Sequence, residues 1–377
     1  MPLPGPVRAP DKTLAALESG ISAGLHLGGQ IYVSRADERL VDFAFGTAQP
    51  GAEMTREHLM LWLSSGKPVT AIAIAQLWEE GMVALDDPVV EHLPEFGVHG
   101  KGDITLRHLL THTGGIRMLD TGWPRLDWDE IIARIAASRP EPSWVPGHKA
   151  GYHRASSWFV LAEIVRRCSG QPFERYVRER IFVPLGMEDC WIGMPEERYR
   201  SYGSRIAAMF DTEAQPFEAH PWTTARRLTT CFPGGNACGP VRQLGRLYEA
   251  LAGGGRLGAG RILRPQTVEA LAARHRVGLF DRTFQCRMDW GLGLIPNSSY
   301  LGEESIPYQY GPRASMRTYG HSGYRSSTAF ADPEAGIVVA LAFNGTPSDE
   351  AHGERIRTVL AALYEDLGLG EPVPTAG

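Results

Sequence analysis

Apolar and polar positions along the chain follow two rhythms, and their order predicts the architecture. Residues 11–23, opening Asp11-Lys-Thr-Leu-Ala-Ala-Leu, carry apolar side chains at helical spacing behind an acidic start. Two short strands follow, Gln30-Ile-Tyr-Val-Ser-Arg35 and Leu40-Val-Asp-Phe-Ala-Phe-Gly46, around the polar turn Ala36-Asp-Glu-Arg39. The run Val69-Thr-Ala-Ile-Ala-Ile-Ala-Gln-Leu-Trp78 is apolar all round, which predicts a buried helix ending before Gly81. From about 75 to 240 the pattern predicts mostly helical segments between Pro- and Gly-rich loops. The clearest is Trp158-Phe-Val-Leu-Ala-Glu-Ile-Val-Arg-Arg167, stopped by Gly170.

Strand rhythm returns in the last third. Arg317-Thr-Tyr-Gly-His-Ser-Gly323 and Ser327-Thr-Ala-Phe-Ala-Asp332 lead through the turn Asp332–Gly336 to the buried strand Ile337–Asn344. Residues 349–367 then predict a closing helix and 370–377 a frayed tail. Strands near both ends with helices between imply an α/β (α+β) fold, one sheet built from both parts of the chain. The expected division is a sheet domain, 1–74 with 241–377, and a mostly helical domain, 75–240, with the active site in the cleft between them.

Composition excludes several classes. The net charge of −5 gives no electrostatic footprint for nucleic acid, and no run of about 18 apolar residues predicts a membrane span. The N-terminal stretch lacks the apolar core of a secretory signal, so cytoplasmic residence is expected unless a leader has been removed. The five cysteines form no Cys-x-x-Cys pair and suggest reduced thiols. Only Lys12, Lys67, Lys101 and Lys149 among 38 basic residues are lysines. Where arginine is the default cation, a lysine suggests a group that must lose its proton.

Ser64-Ser-Gly-Lys67 fits that idea. Positions i and i+3 share a helix face, so the Ser64 hydroxyl and the Lys67 amine fall within reach of each other. A serine hydroxyl needs a base to become a nucleophile, and a desolvated lysine is one. A place at the helix N-terminus favours developing negative charge, and Pro68 is tolerated in the first turn. Taken alone the motif is weak, but others accompany it. Pro146-Gly-His-Lys-Ala-Gly-Tyr152-His offers Tyr152 as a second proton carrier, and Gly320-His321-Ser322-Gly323 stands on a predicted strand. Leu106–Gly115, Pro184–Met187, Phe232-Pro-Gly-Gly235 and Trp290-Gly-Leu-Gly293 complete the set.

In these motifs and their order the chain resembles the serine β-lactamase-like hydrolases over about residues 20–365. The likeness is closest to the class C-like branch, which includes family VIII carboxylesterases, D-aminopeptidases and natural-product transacylases. The resemblance implies the β-lactamase/penicillin-binding-type fold, an antiparallel sheet flanked by helices with a helical insertion. It implies Ser64 as the acylated nucleophile, Lys67 as its base and Tyr152 as the proton carrier to the leaving group. His321-Ser322-Gly323 takes the place of the family's Lys-Thr-Gly, and the backbone N–H groups of Ser64 and Tyr324 become the oxyanion hole. Two departures stand out: Arg154 holds the Asn position of Tyr-x-Asn, with Ser156 a candidate replacement for the amide, and His321 replaces a lysine. Both, with the missing export signal, argue for esters or acyl transfer over penicillin destruction. Arg154 and Arg325 are candidates to bind an anionic group.

Other signals are set aside. Gly20-Ile-Ser22-Ala-Gly24 matches a nucleophile elbow by letter, but it lies after a helix and before a strand, the reverse of what that elbow needs. His108 and His112 lack the glutamate of a zinc-protease helix. Gly253–Gly258 reads as a helix-ending loop, and Lys149 as a solvated loop lysine. Trp62, Trp290 and Tyr324 are candidate pocket aromatics. The expected protein is a serine hydrolase or acyltransferase working through acyl-Ser64 on small carboxylic esters. It needs no metal or organic cofactor, and its partners are a small acyl substrate and an amine or alcohol acceptor. A transacylase is the alternative, and a β-lactamase or D-aminopeptidase the third reading.

Overall fold

The computed structural model describes residues 7–36, 38–302 and 310–370. Asp37 of the predicted turn and the predicted tail beyond 370 lie outside them. Helix α1 (Asp11–Ser22) leads into β1 (Gly28–Arg35), β2 (Glu38–Gln49) and the short β3 (Ala52–Glu53). The last third supplies β4 (Ile295–Pro296), β5 (Tyr319–Ser322), β6 (Ser327–Asp332) and β7 (Ile337–Phe343). These make one seven-stranded antiparallel sheet in the order β4-β5-β6-β7-β1-β2-β3. Its central pair joins the two ends of the chain, with Gly29 opposite Phe343 and Arg35 opposite Ile337.

Successive side chains of a strand face opposite ways, and here both faces are buried. Ile31, Val33, Phe330, Val339 and Leu341 pack under α1 and the closing helix α5 (Asp349–Asp366), against Leu14, Leu17, Val359, Leu360 and Leu363. The alternate residues Tyr32, Ala329, Ala340 and Ala342 face α4 (Val241–Ala252) through Leu244, Leu247 and Leu251. That second core runs on without a break into α2 (Lys67–Glu79) and α3 (Ser156–Ser169). Burial on both faces explains why β7 reads as a continuous apolar run.

Helix α2 starts two residues before the apolar run, with Pro68 in its first turn where no N–H is needed. It is buried from Lys67 to Leu77. α3 ends on Gly170 at φ +70, a left-handed cap. The segment 203–240 is less helical than its pattern predicts. It contributes Phe210–Asp211, which pairs in parallel with Gly345–Thr346 just beyond β7. A hairpin absent from the sequence reading, Arg276–Asp281 with Cys286–Trp290, stands beside the sheet. No helix among the described residues is long and apolar enough to cross a membrane.

Candidate active site

Ser64 lies on a single 3-10 turn, Leu63–Gly66, that runs directly into α2. The turn begins with Leu63 at φ +52, a left-handed conformation that costs a residue with a Cβ about 1–2 kcal/mol. The surroundings hold it there. The Trp62 backbone N–H donates to the Ala237 carbonyl at 2.8 Å, and its indole to the Gly239 carbonyl at 2.9 Å. The Trp62 carbonyl accepts from the Ser65 N–H at 3.1 Å and the Ser327 hydroxyl at 2.7 Å. Ser65 Oγ reaches Ser327 Oγ at 2.9 Å and the His321 carbonyl at 3.2 Å, stitching the turn to β5 and β6. Close approach dictates two glycines. A Cβ on Gly66 would lie 2.3 Å from the Ala237 Cβ, and one on Gly323 would lie 2.4 Å from the Trp62 carbonyl oxygen.

Lys67 Nζ is 2.9 Å from Ser64 Oγ and donates to the carbonyl of Gly234. It also lies 5.1 Å from the centre of the Tyr152 ring and 5.4 Å from that of Trp158. The side chain is fully buried and has no carboxylate partner among the described residues. Burial, with the Arg154 charge in second place, holds its pKa well below the ordinary lysine value, so the amine tends to the neutral form. The Phe232–Gly235 motif thereby acquires a use: its loop delivers the Gly234 carbonyl. Asn236 fixes that loop by accepting from the Phe232 N–H and donating to the carbonyls of Arg227 and Thr230.

The Tyr152 hydroxyl donates to Ser64 Oγ at 2.8 Å. Burial pushes its pKa up, and the phenol keeps its proton at neutral pH. Its ring is packed against His112 at 4.7 Å and Phe284 at 4.8 Å between centroids. Asp281, at the end of the new hairpin, clamps its backbone. One Asp281 oxygen accepts from the N–H groups of Tyr152, Thr283 and Phe284 at 3.1, 2.9 and 3.1 Å. The other pairs with Arg276 at 3.0 Å, with both side chains buried. The Thr283 hydroxyl donates back to the Tyr152 carbonyl at 3.1 Å.

Ser64 and Tyr152 open into a cleft of about 1370 Å³ that Arg154, His321, Ser322, Gly323, Tyr324 and Arg325 also line. The Tyr324 N–H has no backbone or side-chain acceptor among the described residues. Ser64 stands in the first turn of its helix, where N–H groups lack intrahelical partners. His321 Nδ1–H faces the Ser322 carbonyl at 2.8 Å. Burial and the neighbouring Lys67 lower its pKa to about 3, so it is neutral. Arg325 is engaged, bidentate to Asp349 at 2.7 and 2.9 Å and bonded to Glu213 at 2.8 Å. Arg154 is exposed to the cleft.

Several sequence expectations need correction. Ser156 does not replace the motif's amide, because it is buried and its hydroxyl is donated to the Ile116 carbonyl. Trp62 and Trp290 are fully buried core residues, and only Tyr324 of the three candidate aromatics lines the cleft. The two histidines set aside as metal ligands are structural, as expected: His112 is a buried neutral ring whose Nδ1 accepts the His153 N–H at 2.9 Å, and His108 belongs to the capping box of Thr105. The sequence reading missed Asp281, Arg276 and Thr283; the one local hint was their place beside the Trp290 motif.

A family model described as Beta-lactamase matches residues 14–364. Esterase EstB of Burkholderia gladioli is 28% identical over 350 residues, covering 84% of this chain and 86% of its own. Esterase/beta-lactamase LipL of Mycobacterium tuberculosis is 26% identical over 313 residues, covering 74% and 68%. The crystal structure of a family VIII carboxylesterase superposes with a TM-score of 0.77 at 26% identity, covering 94% of this chain and 96% of that one.

Proposed function

The chain belongs to the Beta-lactamase family, and from that premise we propose that it is a serine esterase carrying the acyl group of small carboxylic esters on Ser64. The observation that bears this reading is the placing of Ser64 Oγ between Lys67 Nζ at 2.9 Å and the Tyr152 hydroxyl at 2.8 Å. With Lys67 neutral, the Ser64 O–H points to its lone pair and accepts from Tyr152. Attack on the ester carbonyl passes the serine proton to Lys67. The oxyanion forms against the N–H groups of Ser64 and Tyr324, each such donor being worth about 3–4 kcal/mol. On collapse the leaving alkoxide takes the Tyr152 proton, and Lys67 restores it. Deacylation runs the same path backwards with water as the nucleophile.

Acyl transfer is a second reading, favoured by the size of the cleft: about 1370 Å³ exceeds what a small ester fills and leaves room for an amine or alcohol acceptor. At the motif position where β-lactamases and peptidases carry a lysine that helps hold the substrate carboxylate, His321 is neutral, so β-lactam hydrolysis ranks third. Cytoplasmic residence belongs to the proposal and is supported by five free thiols. So does the division into a sheet domain and a helical domain.

The test is intact-protein mass spectrometry after exposure to activated esters and β-lactams. An acyl adduct mapped to Ser64, absent from Ser64→Ala, is expected; labelling elsewhere or none at all overturns the reading. Running one ester against a graded panel of amines and alcohols separates the two activities. Free acid dominating for every acceptor at millimolar concentration leaves the plain esterase.

A further inference from the structure

Arg154 stands two residues beyond Tyr152, on the stretch that leads into α3. Its side chain borders the cleft with Ser64, Tyr152, Phe232 and Gly234. No ion pair or hydrogen bond engages its guanidinium among the described residues, although arginines elsewhere in this chain are heavily paired. The contrast with Arg325 is direct, since that side chain is neutralised by Asp349 and Glu213. His321, where the family motif has a lysine, is neutral. The cleft wall supplied by α5 carries Glu350, Glu354 and Arg357 and contributes no net positive charge. Arg357 is likewise without an ion pair among the described residues but shares its wall with those glutamates, whereas Arg154 stands two residues from Tyr152 and is the cation on the nucleophile's side of the cleft.

The arrangement has an electrostatic cost that a ligand can relieve. The Arg154 charge reaches both Lys67 and Tyr152, disfavouring a positive Lys67. The N-terminus of the fourteen-residue α3 has no side-chain cap and adds partial positive charge on the same side. An anion there would meet a planar donor fork suited to a carboxylate. We propose that Arg154 forms an anion subsite beside Ser64, and that the preferred substrates are esters carrying a free carboxylate within its reach. The specificity part of this inference rests on the acyl-Ser64 reading; the binding part does not.

The experiment reads binding without turnover. Ser64→Ala protein is titrated by calorimetry with monophenyl glutarate, whose carboxylate is on the acyl half, and with 4-carboxyphenyl butyrate, whose carboxylate is on the alcohol half. Each is compared with its methyl ester. At least one carboxylate should bind about tenfold or more tightly than its methyl ester, as expected for a charge-assisted hydrogen bond. That preference should vanish in Ser64→Ala/Arg154→Gln and survive in part in Ser64→Ala/Arg154→Lys. The pair that shows it tells which half of the ester faces the subsite. No preference in either pair, or a preference that persists without Arg154, overturns the proposal. Acylation of Ser64 is scored separately on the wild-type protein, so a failed nucleophile is not mistaken for a failed subsite.

Discussion

Replacing Lys67 by methionine should abolish activity and also remove a pH dependence that the buried amine imposes on stability. In the unfolded chain this amine has the ordinary lysine pKa of 10.5, and in the native protein burial and Arg154 hold it well below that. Between the two values the unfolded chain binds a proton that the native state lacks. Native stability therefore rises with pH across that window, by up to about 1.4 kcal/mol per pH unit. Below the native pKa both states hold the proton, and the penalty stays at its full size. Lys67→Met removes this dependence and keeps most of the volume, but leaves the Gly234 carbonyl without its donor, at about 1–3 kcal/mol. The variant's stability minus that of wild type should thus fall as pH rises toward 10.5. Urea unfolding at several pH values between 6.5 and 9.5 measures it. Ester turnover in the same samples should drop by roughly 10³-fold, and as far in Lys67→Arg, whose guanidinium does not give up a proton. A stability difference that is flat with pH, or an Arg variant with more than about a tenth of wild-type turnover, refutes the neutral-base argument.

Three further outcomes are expected. Tyr152→Phe keeps the ring contacts with His112 and Phe284 but loses the hydroxyl on Ser64, so rapid-quench acylation should slow by about 10²–10³-fold. Asp281→Asn breaks the buried pair with Arg276 and should cost about 3 kcal/mol in denaturant unfolding. As Tyr152 loosens, kcat should fall while KM holds, and equal losses in both would deny Asp281 a positioning role. Ser22→Ala should hydrolyse p-nitrophenyl butyrate at the wild-type rate, because its hydroxyl only donates to the Glu18 carbonyl on α1.

What was legible in the chain is what local spacing determines. Ser64 and Lys67 are three residues apart, so one helical turn decides whether they meet. The strand at 337–343 announces itself because both of its faces are buried and every position is apolar or small. Contacts made across the fold leave no such trace. Asp281 heads the polar stretch Asp281-Arg-Thr283, where bonds to the Thr283 and Phe284 N–H groups are local, but nothing there says that the same oxygen will also take the Tyr152 N–H from 129 residues away. Gly234 acts through its carbonyl, an atom every residue has. Arg154 and Arg325 look alike in sequence and differ in the structure. Asp349 and Glu213, both distant in the chain, meet one and not the other. Ser156 misled because its pull toward Ile116 depends on a loop forty residues earlier.

The pairing of β1 with β7 has a consequence for how the protein is made. Roughly 300 residues separate those strands, which at usual rates of synthesis is on the order of 15–60 s of elongation. During that time β1 can pair with β2, but its other edge waits open, the kind of edge that recruits foreign strands. Folding of so non-local a sheet is slow for the same reason. The turn that bears Ser64 waits as well, because Ser327, which braces the Trp62 carbonyl, emerges only near the end. A nascent or truncated chain thus carries the serine without the brace that fixes its conformation. Ester turnover should appear only after the last strand closes the sheet, which makes it a direct reporter of completed folding in a cell-free translation reaction.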